Sequence, residues 1–236
     1  MPAPIPDDRP FVTANFALTW DGRVSTRKLT PSDFSSPADK KRLLEIRAEA
    51  DALLVGARTV ATDTMTMGLP VETLREQRVA RGQSAYPIRV LLTNSGRLNP
   101  QLRVFGADFS PLHVFSTTRM PKPTREALGA KATLHLEPGK RVDVPAMLSL
   151  LRNQLGVRHL LCEGGPTVLR SLLEADLVDA LYLTLCPRVF GGLRAPTLTG
   201  VAGAFLPKST RLQLEEFEVL GEECFLRYRV QRPSGL

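Results

Sequence analysis

Residues 160–173 read LLCEGGPTVLRSLL. A short apolar strand runs straight into two glycines and a proline, after which Val168, Leu169, Leu172 and Leu173 resume at helical spacing. Pro166 suits the first position of a helix, where the missing N–H has no intrahelical use. Gly164 and Gly165 keep the backbone bare, since a side chain there would hold a ligand away from it. The N–H groups of Thr167 and Val168 then point beyond the strand with the positive end of the helix dipole. A pyrophosphate is the natural occupant of such a tip, although a tight strand-to-helix turn also needs glycines, and this stretch alone does not separate the two.

Two further strands end in the same manner. LLVGARTV (53–60) delivers Gly56, Arg58 and Thr59 to a second helix start, where the guanidinium and hydroxyl can donate to phosphate oxygens. LLTNSGRL (91–98) crowds Thr93, Asn94, Ser95, Gly96 and Arg97 at a third tip. Donors with no carboxylate among them suit a 2′-phosphate, which favours NADP over NAD. A parallel sheet carries its ligands outside the carboxyl ends of its strands, so the three tips should converge on one crevice. Neither G-x-G-x-x-G nor G-x-x-x-x-G-K-[ST] occurs, which disfavours a Rossmann or P-loop site.

The rest of the chain supplies such a sheet. FVTANFALT (11–19) alternates as a strand and ends at the Asp21-Gly22 turn. SSPADKKRLLEIRAEA (35–50) reads as a helix with Ser36 as N-cap, Pro37 at its first position, Asp39 completing a capping box, and Leu43, Ile46 and Ala50 on one face. Strands DALLVG, IRVLLT, LHVFS, ATLHL and HLLCE alternate with helical patterns at 57–63, 71–82 and 145–155. DALYLTLCP is a further strand, and LQLEEFEVL and CFLRYRV, joined around Gly221, form a hairpin. The expected fold is α/β: a doubly wound, mainly parallel sheet with a C-terminal antiparallel hairpin, in one domain (1–236) whose residues 1–9 are loose.

The chain has 236 residues, 43% of them hydrophobic, and a net charge of +7. No apolar run reaches the ~18 residues of a membrane span, and the N-terminus has no signal-peptide pattern, so a cytoplasmic protein is expected. Three scattered cysteines and three scattered histidines predict buried free thiols and no metal site. With three tyrosines and one tryptophan for stacking, the positive charge suits small anionic ligands better than nucleic acid.

The ordered set ANFALTWDGRV, RAEADALLVGARTVATD, IRVLLTNSGR and HLLCEGGPTVLRSLLEADLVDALYLTLCPRVFGG resembles the reductase domain of riboflavin biosynthesis, over residues 10 to 230. Its most specific part is Glu163–Thr167 followed by Pro187 to Gly192. The resemblance implies a dihydrofolate reductase-like fold and reduction, by NADPH, of the ribose of a ribosylaminopyrimidine 5′-phosphate to ribitol. It implies that Ala17, Thr59, Asp63, Asn94 and the segment 165–171 face NADPH, that Arg47 and Glu163 face substrate with Asn15 at the same site, and that the protein is a homodimer. Asp63 and Glu163 are the candidates for orienting substrate or relaying a proton. The Trp20–Val24 loop occupies the place of a mobile loop and is expected to close on the cofactor.

The chain also departs from that family. Where Asp-Asp-Pro-x-Leu-Thr-x-Arg is usual, residues 63–70 read DTMTMGLP, so the arginine that grips the substrate phosphate is absent. Arg75, Arg78 or Arg81 could replace it. Pro31-Ser32-Asp33 stands in place of Ser-x-Trp, and Asn15 in place of the lysine frequent in bifunctional bacterial relatives. No His-x-Glu or Pro-Cys-x-x-Cys deaminase motif occurs, so a free-standing reductase is expected. The alternatives are a reductase of the same fold for another acceptor, such as a dihydropterin, and a non-catalytic NADPH-binding protein.

Overall fold

The structure, a computed structural model, describes residues 6–25, 34–200 and 205–231. β1 (Phe11–Thr19) leads to α1 (Pro37–Glu49), β2 (Ala52–Gly56), α2 (Ala57–Asp63), α3 (Glu72–Ala80) and β3 (Ile88–Leu92). The chain continues through β4 (Leu112–Thr117), α4 (Lys122–Leu128), β5 (Thr133–Glu137), α5 (Val144–Asn153), β6 (His159–Cys162), α6 (Pro166–Glu174) and β7 (Ala180–Cys186). β8 (Arg211–Leu220) and β9 (Glu223–Gln231) form the closing hairpin.

Among the described residues nine strands make one sheet in the order β5-β4-β3-β2-β6-β1-β7-β9-β8. The pairings among β1 to β7 are parallel, and β9 is antiparallel to both β7 and β8. The expected mainly parallel sheet with an antiparallel hairpin is therefore present. Val12, Ala14, Leu54, Val90 and Leu160 pack on one side against Met147, Leu148 and Leu151 of α5 and Leu169 and Leu172 of α6. Leu53, Val55, Leu91 and Val114 face the other way, toward Ile46 of α1, Val60 of α2 and Leu128 of α4. Strands covered on both faces read as apolar runs rather than as alternation, as β2 and β3 do.

The structure corrects several expectations. α4 was not foreseen: Pro121 is its N-cap and Pro123 lies in its first turn, so a helix begins inside what reads as a breaker cluster. Ser36 does cap α1, accepting from the N–H groups of Ala38 and Asp39, but Asp39 does not return the bond. Glu223 of β9 does so instead, taking the Ser36 N–H at 2.8 Å and its hydroxyl at 2.5 Å. An aspartate is one methylene shorter than the glutamate of a capping box, and the tertiary carboxylate takes the position. Arg9 is not loose: it is buried and donates to both oxygens of Asp179 at 2.7 and 2.8 Å. Residues 1–5 of that expected loose segment, and Pro31-Ser32-Asp33, lie outside the described residues.

Arg75, Arg78 and Arg81 of the basic segment do not line the cavity at the strand ends and are bonded to backbone carbonyls. Arg78 is fully buried and donates to the carbonyls of Ala48, Ala50 and Ser84; Arg81 donates to Ala48 O, and Arg75 to Leu69 O and Pro70 O. These arginines hold α3 against the end of α1 and the 69–70 segment.

Candidate active site

β3, β2, β6 and β1 are neighbours, and a cavity of about 970 Å³ opens at their ends. That is the upper end of the usual range for small-molecule pockets, about 300–1,000 Å³. Its walls include Asn15 and Ala17 of β1, Gly56 at the end of β2, and Arg58, Thr59 and Asp63 of α2. Thr93, Asn94 and Ser95 come from the tip of β3, and Glu163, Gly164, Gly165, Pro166, Thr167 and Val168 from the β6–α6 junction. The fold thus brings all the residues proposed from sequence to one place, with the exception of Arg47, which does not line the cavity.

The glycines at the β6 tip answer to the protein first. Gly165 is the N-cap of α6 at φ +83°, and a Cβ there would meet Val168 Cγ2 at 3.2 Å and Gly56 Cα at 3.4 Å. Gly164, at φ +136°, would press Thr59 Cγ2 at 3.2 Å. The two tips are tied by Gly56 N–H donating to Gly164 O at 3.1 Å. Bareness here lets two strand ends touch, which in turn carries α2 and α6 to the same cavity with no side-chain cap on either N-terminus. Val168 N–H is not free, since it donates to Gly165 O at 2.8 Å, so Thr167 is the first-turn donor left at the wall.

At the β3 tip, Gly96 is at φ +61°, and a Cβ would fall 2.6 Å from Met120 Cα. Asn94 accepts from Val142 N–H through Oδ1 at 2.9 Å, and its carbonyl accepts from the Thr117 hydroxyl at 2.9 Å. The side-chain oxygen therefore fixes the loop before α5, and the amide NH₂ remains for a ligand.

The carboxylates differ sharply. Glu163 receives Arg47 in a bidentate pair, Nε–Oε1 at 2.7 Å and Nη2–Oε2 at 2.6 Å, with the two side chains 2% and 8% exposed. Arg47 Nη1 also donates to Gly68 O. The two groups proposed for the substrate side are thus partners of each other; Glu163 lines the cavity and Arg47 stands behind it. Asp63 lines the cavity with no such partner, and burial raises its pKa above the ordinary carboxylate range. Met67 and Leu69 are fully buried, whereas Pro70, which stands at the place of the absent arginine, is exposed.

Lys40, Arg58 and Arg97 are exposed cations on the cavity wall. Lys40, together with Asp39, Leu43 and Met65, was missed from sequence, because α1 reads as capped at its start and packed along its Leu43 face. The first loop is tied down. Asp21 accepts from the Thr19 hydroxyl, Phe190 N–H and Gly191 N–H at 2.6, 3.1 and 2.7 Å, and these bonds, Thr19 foremost, hold its pKa at about 2. Trp20 is 61% exposed and outside the cavity; Val24 and Ser25 line it. The Pro187–Gly192 motif serves as the anchor of this loop.

Cys162 and Cys186 are buried thiols pushed up to about 12 by burial, and Cys224 is also free. No His, Cys, Asp or Glu cluster among the described residues could hold a metal, and no described helix is long and apolar enough to cross a membrane.

A family profile described as RibD C-terminal domain matches residues 10–226. The chain is 31% identical over 224 residues to a protein of Methanothermobacter thermautotrophicus named 2,5-diamino-6-ribosylamino-4(3H)-pyrimidinone 5′-phosphate reductase, covering 94% of this chain and 99% of that one. It is 30% identical over 224 residues to the Archaeoglobus fulgidus protein of the same name, covering 95% and 100%. Among solved structures, a pyrimidine reductase-like protein of Corynebacterium diphtheriae superposes with a TM-score of 0.81 at 21% identity, over 95% of this chain and 93% of that one.

Proposed function

This chain belongs to the RibD C-terminal domain family, and from that premise we propose that it is an NADPH-dependent reductase of a ribosylaminopyrimidine 5′-phosphate in riboflavin biosynthesis. The observation that carries the reading is the meeting of three donor-rich strand tips in one cavity, in a chain of reductase family. The residues fit a dinucleotide: two uncapped helix N-termini and the free guanidinium groups of Arg58 and Arg97 suit its phosphates, and no carboxylate stands at the β3 tip against a 2′-phosphate. When bound, NADPH supplies the hydride.

The chain's own groups do the rest. Thr59, Thr167 and the amide of Asn94 hold and orient the cofactor; Ala17 leaves the floor of the cavity low beside it; Asn15 meets the substrate. Asp63, its proton held to higher pH by burial, is the group able to deliver or accept one at the substrate. Glu163 and Arg47 act together as a buried brace between β6, α1 and the 68–69 turn. Lys40, on α1 and with no hydrogen bond or ion pair from its ammonium to a described residue, is the candidate for the 5′-phosphate in place of the absent arginine.

We place this reductase domain in the cytoplasm, in keeping with its free thiols, acting without nucleic acid or membrane. A homodimer is favoured by β8, whose residues are all exposed. A bulge between Leu214 and Glu216 keeps Leu212, Leu214, Phe217 and Val219 opposite Val230, Tyr228, Leu226 and Cys224. One face of this edge strand is thus a continuous apolar stripe, with Phe217 60% exposed. Light scattering of wild type against Phe217→Glu tests the dimer, which the charge should split. Absorbance at 340 nm tests the activity: NADPH is consumed in step with ribityl product on adding 2,5-diamino-6-ribosylamino-4(3H)-pyrimidinone 5′-phosphate. Consumption with dihydrofolate alone would favour the rival acceptor instead.

A further inference from the structure

Asp39 is a charged group without an assignment. It is 7% exposed, it lines the cavity, and its carboxylate makes no hydrogen bond or ion pair to any described residue. The role its position in the helix suggests, closing the capping box, belongs to Glu223. Its place in the first turn of α1 puts it near the positive end of the helix dipole, which offsets part of the cost of burying an ionised carboxylate. Among the described residues no donor meets the carboxylate, which leaves it open to donors that enter the cavity. Two other acidic groups are already engaged, Glu163 by Arg47 and Glu223 by Ser36, and Asp63, on α2, has the proton-transfer role proposed above.

We propose that Asp39 is a substrate-recognition residue whose carboxylate receives the N–H donor edge of an amino-substituted heterocycle. The assignment rests on the reductase reading above and names the part of the substrate that this wall of the cavity takes. A carboxylate accepts two parallel hydrogen bonds and repels phosphate and carbonyl oxygens. An aminopyrimidinone offers a ring N–H and an exocyclic NH₂ side by side, so it satisfies both oxygens at once. Sugar hydroxyls are the other donors in the same substrate, and the test separates the two.

In the full-length protein, Asp39→Asn keeps the size of the side chain and removes its charge. The expected result is a KM for the ribosylaminopyrimidine phosphate raised tenfold or more, with kcat changed less and the Kd for NADPH within twofold of wild type. Tm should hold or rise, because an unpaired buried charge is gone; a merely structural acid would give the opposite. Asp39→Glu, which moves the charge by one methylene, is the second variant and should raise KM less than Asn does. Inhibition by 2,5,6-triamino-4-pyrimidinone should weaken in Asp39→Asn while inhibition by ribose 5-phosphate is unchanged. An unchanged KM with a lowered Tm would overturn the proposal and leave the reductase reading intact, as would loss of ribose 5-phosphate inhibition in place of the heterocycle's. Wild-type protein that binds NADPH but oxidises none with this substrate would remove the reductase reading, and Asp39's role with it.

Discussion

The two walls of the cavity are built by different means. On the strand-tip wall, Gly56, Gly164 and Gly165 let two strand ends meet, and the guanidinium groups of Arg58 and Arg97 have no partner among the described residues. Beyond Gly164 at the β6 tip, Glu163 and Arg47 of α1 form a buried ion pair, and Met67 and Leu69 of the segment after Asp63 are buried. The first wall offers donors suited to the phosphates of the proposed cofactor. The second is held by a buried ion pair, and near it the first turn of α1 brings Asp39, the proposed substrate contact, to the cavity.

The largest effect expected concerns the pair that distinguishes the walls. Arg47→Met leaves Glu163 buried without a counter-charge and should cost about 3–5 kcal/mol in chemical denaturation. Arg47→Met combined with Glu163→Leu should recover most of that. A loss below about 1 kcal/mol together with a raised KM would instead make Arg47 a substrate ligand, as the resemblance implied. Next in size is Gly165→Ala. Its φ of +83° and the 3.4 Å approach to Gly56 Cα put the strain at about 1–3 kcal/mol, read as a lower Tm and an NADPH Kd raised roughly tenfold. Ala at an exposed site such as Gly82, with open space around it, should leave NADPH binding alone.

Arg58→Ala is expected to weaken NADPH by about tenfold at low salt, and by less as salt rises, because its guanidinium is exposed. Insensitivity to salt would argue against a phosphate contact. The smallest change belongs to Asp63→Asn. Burial raises the Asp63 pKa, so the protonated carboxyl persists to higher pH than an ordinary aspartate, and a kcat/KM that depends on it falls as pH rises through that raised value. The variant should lose this limb of the profile. It should also be no less stable than wild type at neutral pH, since the ionised form is the one that burial disfavours.

Much of the first wall was legible in the sequence, because each tip carries its glycines and donors in one contiguous stretch after an apolar run. The parallel sheet followed from the same alternation, and only α4, begun among prolines, went unseen. The second wall was not legible, because it depends on partners far apart in the chain. Arg47 and Glu163 were each singled out, yet nothing local says that residues 116 apart bind one another. Asp39 read as a capping acid until Glu223, 187 residues beyond Ser36, took that place. Arg78, one of three arginines offered in place of the absent phosphate ligand, is a core residue satisfied by three carbonyls.

The account turns on the strand-tip wall as the seat of the dinucleotide, and a crystal structure with NADPH tests it most directly. Pyrophosphate oxygens within hydrogen-bond distance of Thr167 N–H, with the nicotinamide beside Ala17 and Asp39 still open to substrate, is the predicted result. A dinucleotide bound elsewhere, or an empty cavity at saturating NADPH, would contradict it.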